Sequence, residues 1–222
     1  MIRIYLTAFV SFILAAASHA ITISQNLSMV IQQGNSVSCN SGGLHNDNGY
    51  FRGFDLADYS WNEPLVVYSV TFGIQFAKGG NEVGQPMEVR IYDGWSGSTV
   101  LSPGTLVGST TTQIGNGSLF LHTVPISATI LSGKFAVELF TPNGQEAGNR
   151  LMIGSNNLGQ TGPSYLQAPV CGINSPTSLG SLGFPNMHVV MAVNANPVPE
   201  PGTMLVLIAG AASLLGRARR LR

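Results

Sequence analysis

Residues 66–76 read VVYSVTFGIQF, and this stretch decides the fold class. Every second residue from Val66 onward carries a large apolar side chain. Because successive side chains of a β-strand point to opposite faces, this period of two predicts a strand with one face in the core. The residues predicted to face the core are Val66, Tyr68, Val70, Phe72, Ile74 and Phe76.

Shorter runs of similar character lie on both sides of this strand, separated by Gly, Pro, Asn and Ser. In one run Met87, Val89 and Ile91 alternate with Glu88, Arg90 and Tyr92. This alternation is typical of a strand with one wet face, and it places the second set on that face. Residues 21–197 are therefore predicted to form one all-β domain, an antiparallel β-sandwich of jelly-roll-like or immunoglobulin-like type with about eight or nine strands. The further predicted strands are Tyr50–Leu56, Met87–Asp93, Leu106–Gln113, Leu119–Pro125, Phe135–Thr141, Arg150–Ser155 and His188–Asn194.

The composition narrows the class of partner. Of the 222 residues, 44% are hydrophobic and 9% are charged, against a usual charged share of ~25%. Between Ile21 and Pro199, five Lys and Arg stand against nine Asp and Glu, so this body carries a net charge of −4. Since nucleic-acid binding depends on cations that neutralise phosphates, no nucleic-acid partner is expected.

Both ends of the chain carry targeting signals. Residues 1–20 have a basic start, an apolar run and the small-residue exit Ser18-His19-Ala20, which predicts a secretory signal peptide. Residues 198–222 contain Pro199, Glu200 and Pro201, then an uncharged stretch that at ~1.5 Å per residue makes a helix of only ~21 Å. Arginines follow this short hydrophobic helix and would hold its end in the cytoplasm. They are Arg217, Arg219, Arg220 and Arg222.

The Pro-Glu-Pro triplet, short apolar helix and arginine-rich tail, in this order, resemble the PEP-CTERM sorting signal of Gram-negative bacteria. The resemblance implies that a membrane-embedded exosortase recognises Pro199, Glu200 and Pro201 and cleaves a precursor held transiently in the membrane. The product would be secreted or reach the cell surface or the exopolysaccharide matrix. An ordinary tail anchor is the alternative.

Two stretches of the body are similar to an uncharacterised domain of bacterial surface and secreted proteins. They are Asn48–Leu56 and the segment from Gly154 to Tyr165. The resemblance implies an extracellular β-sandwich and carries no activity with it.

Cys39 and Cys171 are the only cysteines. Export would place them in an oxidising compartment, so a disulfide between them is predicted, with two independent buried thiols as the alternative.

No sequence motif points to catalysis. Gly-x-Ser-x-Gly, His-Glu-x-x-His and a phosphate-binding glycine loop are absent, and His45, His122 and His188 are scattered along the body. We therefore expect a protein that is not an enzyme and has no cofactor, although a triad assembled in space would leave no sequence motif.

A metal site is not expected either. An EF-hand loop built around Gly49 would have Leu44 at its first ligand position, so that match fails. A calcium site of another kind from Asp47, Asp55 and Asp58 is the alternative.

Trp61 and Trp95 lie in polar, turn-like settings. Exposed indoles would form a platform for sugar rings, whereas buried indoles would cap the ends of the core. The sequence thus predicts a structural or adhesive component of the surface or exopolysaccharide matrix, with a carbohydrate-binding module as the alternative.

Overall fold

The computed structural model describes residues 20–80 and 84–198, and in these ranges the chain is almost entirely β-structure. The predicted signal peptide, the sorting residues Pro199 to Pro201, the C-terminal helix and the four terminal arginines lie outside the described residues, apart from Ala20 and Val198. Two 3₁₀ turns cover Leu56–Tyr59 and Pro169–Cys171. The strands are β1 Ile21–Ser24, β2 Asn40–Ser41, β3 Leu44–His45, β4 Asn48–Asp55, β5 Leu65–Lys78, β6 Gln85–Asp93, β7 Thr105–Ile114, β8 Gly117–Ile130, β9 Lys134–Thr141, β10 Arg150–Ile153, β11 Ser155–Asn156, β12 Ser164–Ala168, β13 Ile173–Ser178, β14 His188–Val189 and β15 Met191–Pro197.

Two antiparallel sheets form the body. In the five-stranded sheet β8 runs along one edge of β5, while β15 and then β10 pair with the other edge, and β1 pairs with β15. The six-stranded sheet has the order β13-β12-β4-β9-β6-β7. Two-stranded ladders β2-β3 and β11-β14 lie beside them.

One hydrophobic core lies between the two sheets. It contains Val70, Phe72 and Val193 from the five-stranded sheet together with Phe54, Val89, Ile91 and Phe135 from the six-stranded sheet. Phe54 stacks on Phe135, with 4.9 Å between ring centroids. The predicted all-β class with antiparallel, sandwich-like sheets is thus confirmed. The predicted number of eight or nine strands is wrong, because short strands such as β1, β12 and β13 carry no long alternating pattern.

The burial predicted for residues 66–76, which form most of β5, is correct only in the middle of the strand. It is confirmed for Val70, Phe72 and Ile74 and wrong for Val66, Tyr68 and Phe76, which are half-buried or exposed. Tyr68 is 40% exposed, whereas Leu65 and Val67 are fully buried. The pairing of β5 with β8 shifts register between Val67 and Ser69. A bulge of this kind reverses which alternate residues face the core.

Both faces of β4 are covered, so its sequence shows no single set of alternate residues that faces the core. Tyr50 and Phe54 face the main core, and Phe51 lies in a second cluster on the opposite face. Between Tyr50 and Phe54 lies Arg52, which is fully buried. Burial lowers the pKa of Arg52 to about 9, so the guanidinium still carries its charge at neutral pH.

The predicted disulfide between Cys39 and Cys171 is present. It joins the segment before β2 to the 3₁₀ turn that follows β12, across 132 residues of sequence.

Candidate functional site

The outer face of the six-stranded sheet carries a network of charged and aromatic side chains. Glu138 on β9 is only 4% exposed. It accepts hydrogen bonds from the Tyr92 hydroxyl at 2.7 Å and from Arg90 Nη1 at 3.3 Å. Arg90 also donates to Glu88, and its guanidinium carbon lies 4.4 Å from the centre of the Phe140 ring. The strands hold these five side chains in one fixed arrangement.

This geometry shifts the pKa values of Arg90 and Tyr92. The hydrogen bond that Arg90 donates to Glu88 is the main cause that raises the pKa of Arg90, and the nearby charge of Glu138 adds to it. Burial, followed by the hydrogen bond to Glu138, raises the pKa of Tyr92. The tyrosine therefore stays a neutral donor and the arginine a cation throughout the physiological range. With two carboxylates against one cation, the network carries a net negative charge.

A groove of about 610 Å³ opens beside this network. We call it the Phe140 groove. Its lining combines apolar rings with hydroxyl, amide and carboxylate groups, the mixture that is typical of sites for small ligands. The lining includes Pro86, Glu88, Thr111, Gln113, Phe140 and Pro142. Sequence analysis placed Glu88, Arg90 and Tyr92 on a wet face and missed Glu138 and Phe140, whose shared face becomes evident only when β9 is paired with β6.

The indole of Trp95 is held by other residues and is not fully exposed to a sugar ring. It is half-buried, and its Nε1 donates to the Phe54 carbonyl oxygen at 2.7 Å. The ring packs against a cluster that includes Phe51 and Leu101 on the outer face of the sheet. A Cβ atom on Gly53 would lie 2.8 Å from the indole, so the glycine makes room for it. Trp95 thus caps a secondary hydrophobic cluster.

Trp61 plays a similar structural part at the end of the main core. It is half-buried against core residues, and its Nε1 donates to the Glu63 carbonyl oxygen at 2.9 Å. Both indole N–H groups are therefore used by the backbone, which favours the core-cap alternative for both tryptophans.

The three histidines have separate surroundings. His45 lies between two carbonyl oxygens, with Nε2 2.9 Å from Pro142 O and Nδ1 3.1 Å from Asn149 O. His122 Nε2 lies 3.0 Å from the Thr112 hydroxyl, and His188 is buried on β14. Burial is the main cause that lowers the pKa of all three. The structure does not bring them into one constellation.

The aspartates proposed for calcium are also separated. Asp47 directly precedes β4, Asp55 is its last residue and Asp58 lies in the 3₁₀ turn that follows. The eight-residue step from Asp47 to Asp55, at ~3.3 Å per residue, spans ~26 Å. Asp55 instead accepts from Ala57 N and pairs with Lys134 at 3.1 Å. Among the residues that the structure describes, no three His, Cys, Asp or Glu side chains form a group able to hold a metal ion.

The membrane and sorting predictions are not addressed by the described residues. In the ranges 20–80 and 84–198, no helix has the length and apolar character needed to cross a bilayer.

The solved structures compared with this chain are similar to it at a distance. No family model matches the chain, and no curated protein matches it. Among solved structures it is similar to a β-1,3-glucan-binding CBM6 module from Bacillus halodurans, with 16% identity, a TM-score of 0.30 and coverage of 60% of this chain and 91% of that one. It is also similar to an arabinose-bound α-L-arabinofuranosidase, MgGH51, with 11% identity, a TM-score of 0.31 and coverage of 63% of this chain and 22% of that enzyme. At these TM-scores neither similarity supports a conclusion about ligand or activity.

Proposed function

We propose that this chain is an exported, exosortase-processed component of the cell surface or exopolysaccharide matrix. It attaches by binding polysaccharide and does not turn it over. The two terminal signals support export and sorting to the cell surface. The Phe140 groove is the observation that supports polysaccharide binding. A polymer tolerates weak individual sites, because repeated attachment raises the overall affinity without new contacts.

In this proposal the groove binds uncharged sugar residues. Phe140, Pro86 and Pro142 offer apolar surface, and the rim supplies hydrogen-bonding groups from Thr111 and Gln113. The Arg90 guanidinium holds the Phe140 ring from one side, which limits the rotamer freedom lost on binding. The acidic network beside the groove disfavours an anionic ligand at this site.

Removing the polar rim is expected to weaken polysaccharide binding on the order of tenfold, since each lost hydrogen bond contributes ~0.5–1.5 kcal/mol. The variant is Glu88→Ala with Thr111→Ala and Gln113→Ala, and retention on purified exopolysaccharide of the host is the measurement. Ser127→Ala with Thr129→Ala on the exposed side of β8 is the matched control, with unchanged retention expected. Equal retention of the rim variant and the wild type would refute the proposed site. Glycan hydrolysis that is lost on replacing His45, His122 or His188 would refute the non-enzymatic proposal.

Processing at both ends gives a second expected result. Mass spectrometry of the surface fraction from an exosortase-bearing host should find an N-terminus at Ile21 and no peptide from Met204 to Arg222. Glu200→Ala should leave the precursor in the membrane, because the triplet is then incomplete, whereas Glu63→Ala in the body should be processed normally. Mature wild-type protein that retains its C-terminal peptides would contradict the sorting proposal.

A further inference from the structure

A second depression, of about 420 Å³, lies on the outer face of the five-stranded sheet, on the opposite side of the sandwich from the Phe140 groove. We call it the Gln75 pocket. Strands β5, β8 and β10 lie side by side here, with Met152 paired to Phe76 and Phe76 paired to Ser118. Gln33, from the loop before β2, completes the lining.

The pocket contains a buried acceptor without a partner. Gln75 is only 8% exposed, and its Nε2 donates to Met152 Sδ at 3.6 Å. Its Oε1 is buried and has no hydrogen-bond partner among the described residues. Native proteins rarely leave such an atom unsatisfied, so an incoming hydroxyl or N–H donor would gain a full hydrogen bond at this point.

The lining of the pocket also includes a cation, in an otherwise acidic body. Arg150 Nε donates to the Gly43 carbonyl oxygen at 3.0 Å, and its guanidinium carbon lies 5.7 Å from the centre of the Phe76 ring. Lys78 is its direct cross-strand neighbour. Neither cation forms an ion pair with a residue in the described ranges. Within the described ranges the terminal nitrogens of Arg150 have no hydrogen-bond partner, and a guanidinium group binds a carboxylate in a bidentate manner.

We infer that the Gln75 pocket binds an acidic sugar residue, a uronic acid, of an anionic polysaccharide. The carboxylate pairs with Arg150, a ring hydroxyl donates to Gln75 Oε1, and the apolar face of the sugar lies on Phe76 and Met152. The inference extends the proposed function, because sites on opposite faces let one domain link two polysaccharide strands.

The test is calorimetric titration of the full chain with galacturonic acid oligomers and, in parallel, with neutral galactose oligomers of equal length. The acidic oligomers are expected to bind at least about tenfold more tightly, since hydrogen bonds to charged groups contribute more than neutral ones. Added salt should reduce this preference, because it screens the exposed cations.

Two variants separate binding from folding. Arg150→Met is expected to reduce uronate affinity about tenfold or more, whereas Lys134→Met, which removes a cation from the six-stranded sheet, should not. Gln75→Met should weaken uronate binding several-fold without lowering the thermal midpoint, because it removes an unsatisfied buried atom. A lower midpoint together with unchanged affinity would assign Gln75 a structural role and refute the inference.

Failure of this inference is distinguishable from failure of the proposed function. Equal binding of acidic and neutral oligomers, or no uronate binding, refutes the Gln75 pocket. In either case the proposed function stands if exopolysaccharide retention still depends on the rim of the Phe140 groove.

Discussion

Replacing Arg52 with methionine is expected to lower the free energy of unfolding by about 3–5 kcal/mol. The guanidinium donates twice to Val189 O, at 2.9 and 2.7 Å, and to Gly162 O at 3.0 Å. It also donates to the side-chain oxygens of Gln25 and Gln160, each at 3.1 Å. Methionine would fill much of the volume but leave these acceptors without a donor.

Two opposing contributions decide the stability of the Arg52→Met variant, and the destabilising one is larger. Removing the charge removes the unfavourable desolvation of a buried cation. However, Val189 and Gln25 are buried, so their oxygens cannot turn to water, and each orphaned acceptor costs ~1–3 kcal/mol. Arg52 also joins three separate segments, because Gln25 precedes β2, Gln160 precedes β12 and Val189 ends β14. Loss of the guanidinium would therefore weaken the contacts among all three segments at once.

Urea unfolding followed by circular dichroism measures the effect. Arg150→Met is the matched control, since this arginine is exposed and should change stability by less than ~0.5 kcal/mol. Arg52→Lys should give a large loss as well, because one ammonium group cannot reach acceptors arranged around a planar fork. An Arg52→Met variant as stable as the wild type would show that desolvation of the cation cancels all of its hydrogen bonds.

Local pattern was sufficient to predict the long strands. Apolar alternation in β5 and β6 is a property of adjacent residues, so it identified both strands and the correct core face of β6. It failed at Tyr68 because the bulge that exposes this residue is set by pairing with residues of β8 that lie 56 to 61 positions further along the chain.

The surroundings of the polar residues required the tertiary structure. Arg52 lies within an alternating run, yet its acceptors come from segments 27 to 137 residues away. Glu138 and Arg90 meet only because β9 pairs with β6. Trp95 follows the bend at Gly94 that ends β6, and the next residues fold back over the sheet and bring Leu101 onto Phe51. Composition alone does not show such a crossing loop.

Removing the disulfide is expected to have the largest effect on stability. For the double variant Cys39→Ala, Cys171→Ala we expect a loss of about 5 kcal/mol, from the loop-closure entropy of the unfolded chain. The bond closes a loop of 132 residues, most of the described body. A domain of this size has a total stability of only ~5–15 kcal/mol, so the double variant would be close to unfolding at room temperature.

The location of the disulfide gives a second, local reason to expect a loss of stability. The chain from Asn26 to Val37 contains no strand, and between it and β4 lie only the two-residue strands β2 and β3. Few ladder hydrogen bonds therefore hold this segment, and Cys39 fixes it to the 3₁₀ turn beside β12. We expect amide hydrogen exchange in this segment to rise more steeply in the double variant than exchange in β5, because local opening precedes global unfolding.

Chemical reduction separates the bond from the side chains. Wild-type protein held reduced with excess thiol should match the double variant in its unfolding midpoint, because both lack the same constraint. Cys39 is 3% exposed, so the single variant Cys39→Ala also removes some core packing, whereas Cys171→Ala, at an exposed position, removes the bond with little loss of contact. The entropic account thus predicts nearly equal losses for Cys171→Ala and the reduced wild type. If reduction leaves the midpoint unchanged while Cys39→Ala lowers it, the stabilisation resides in packing around Cys39 and the loop-closure argument is wrong.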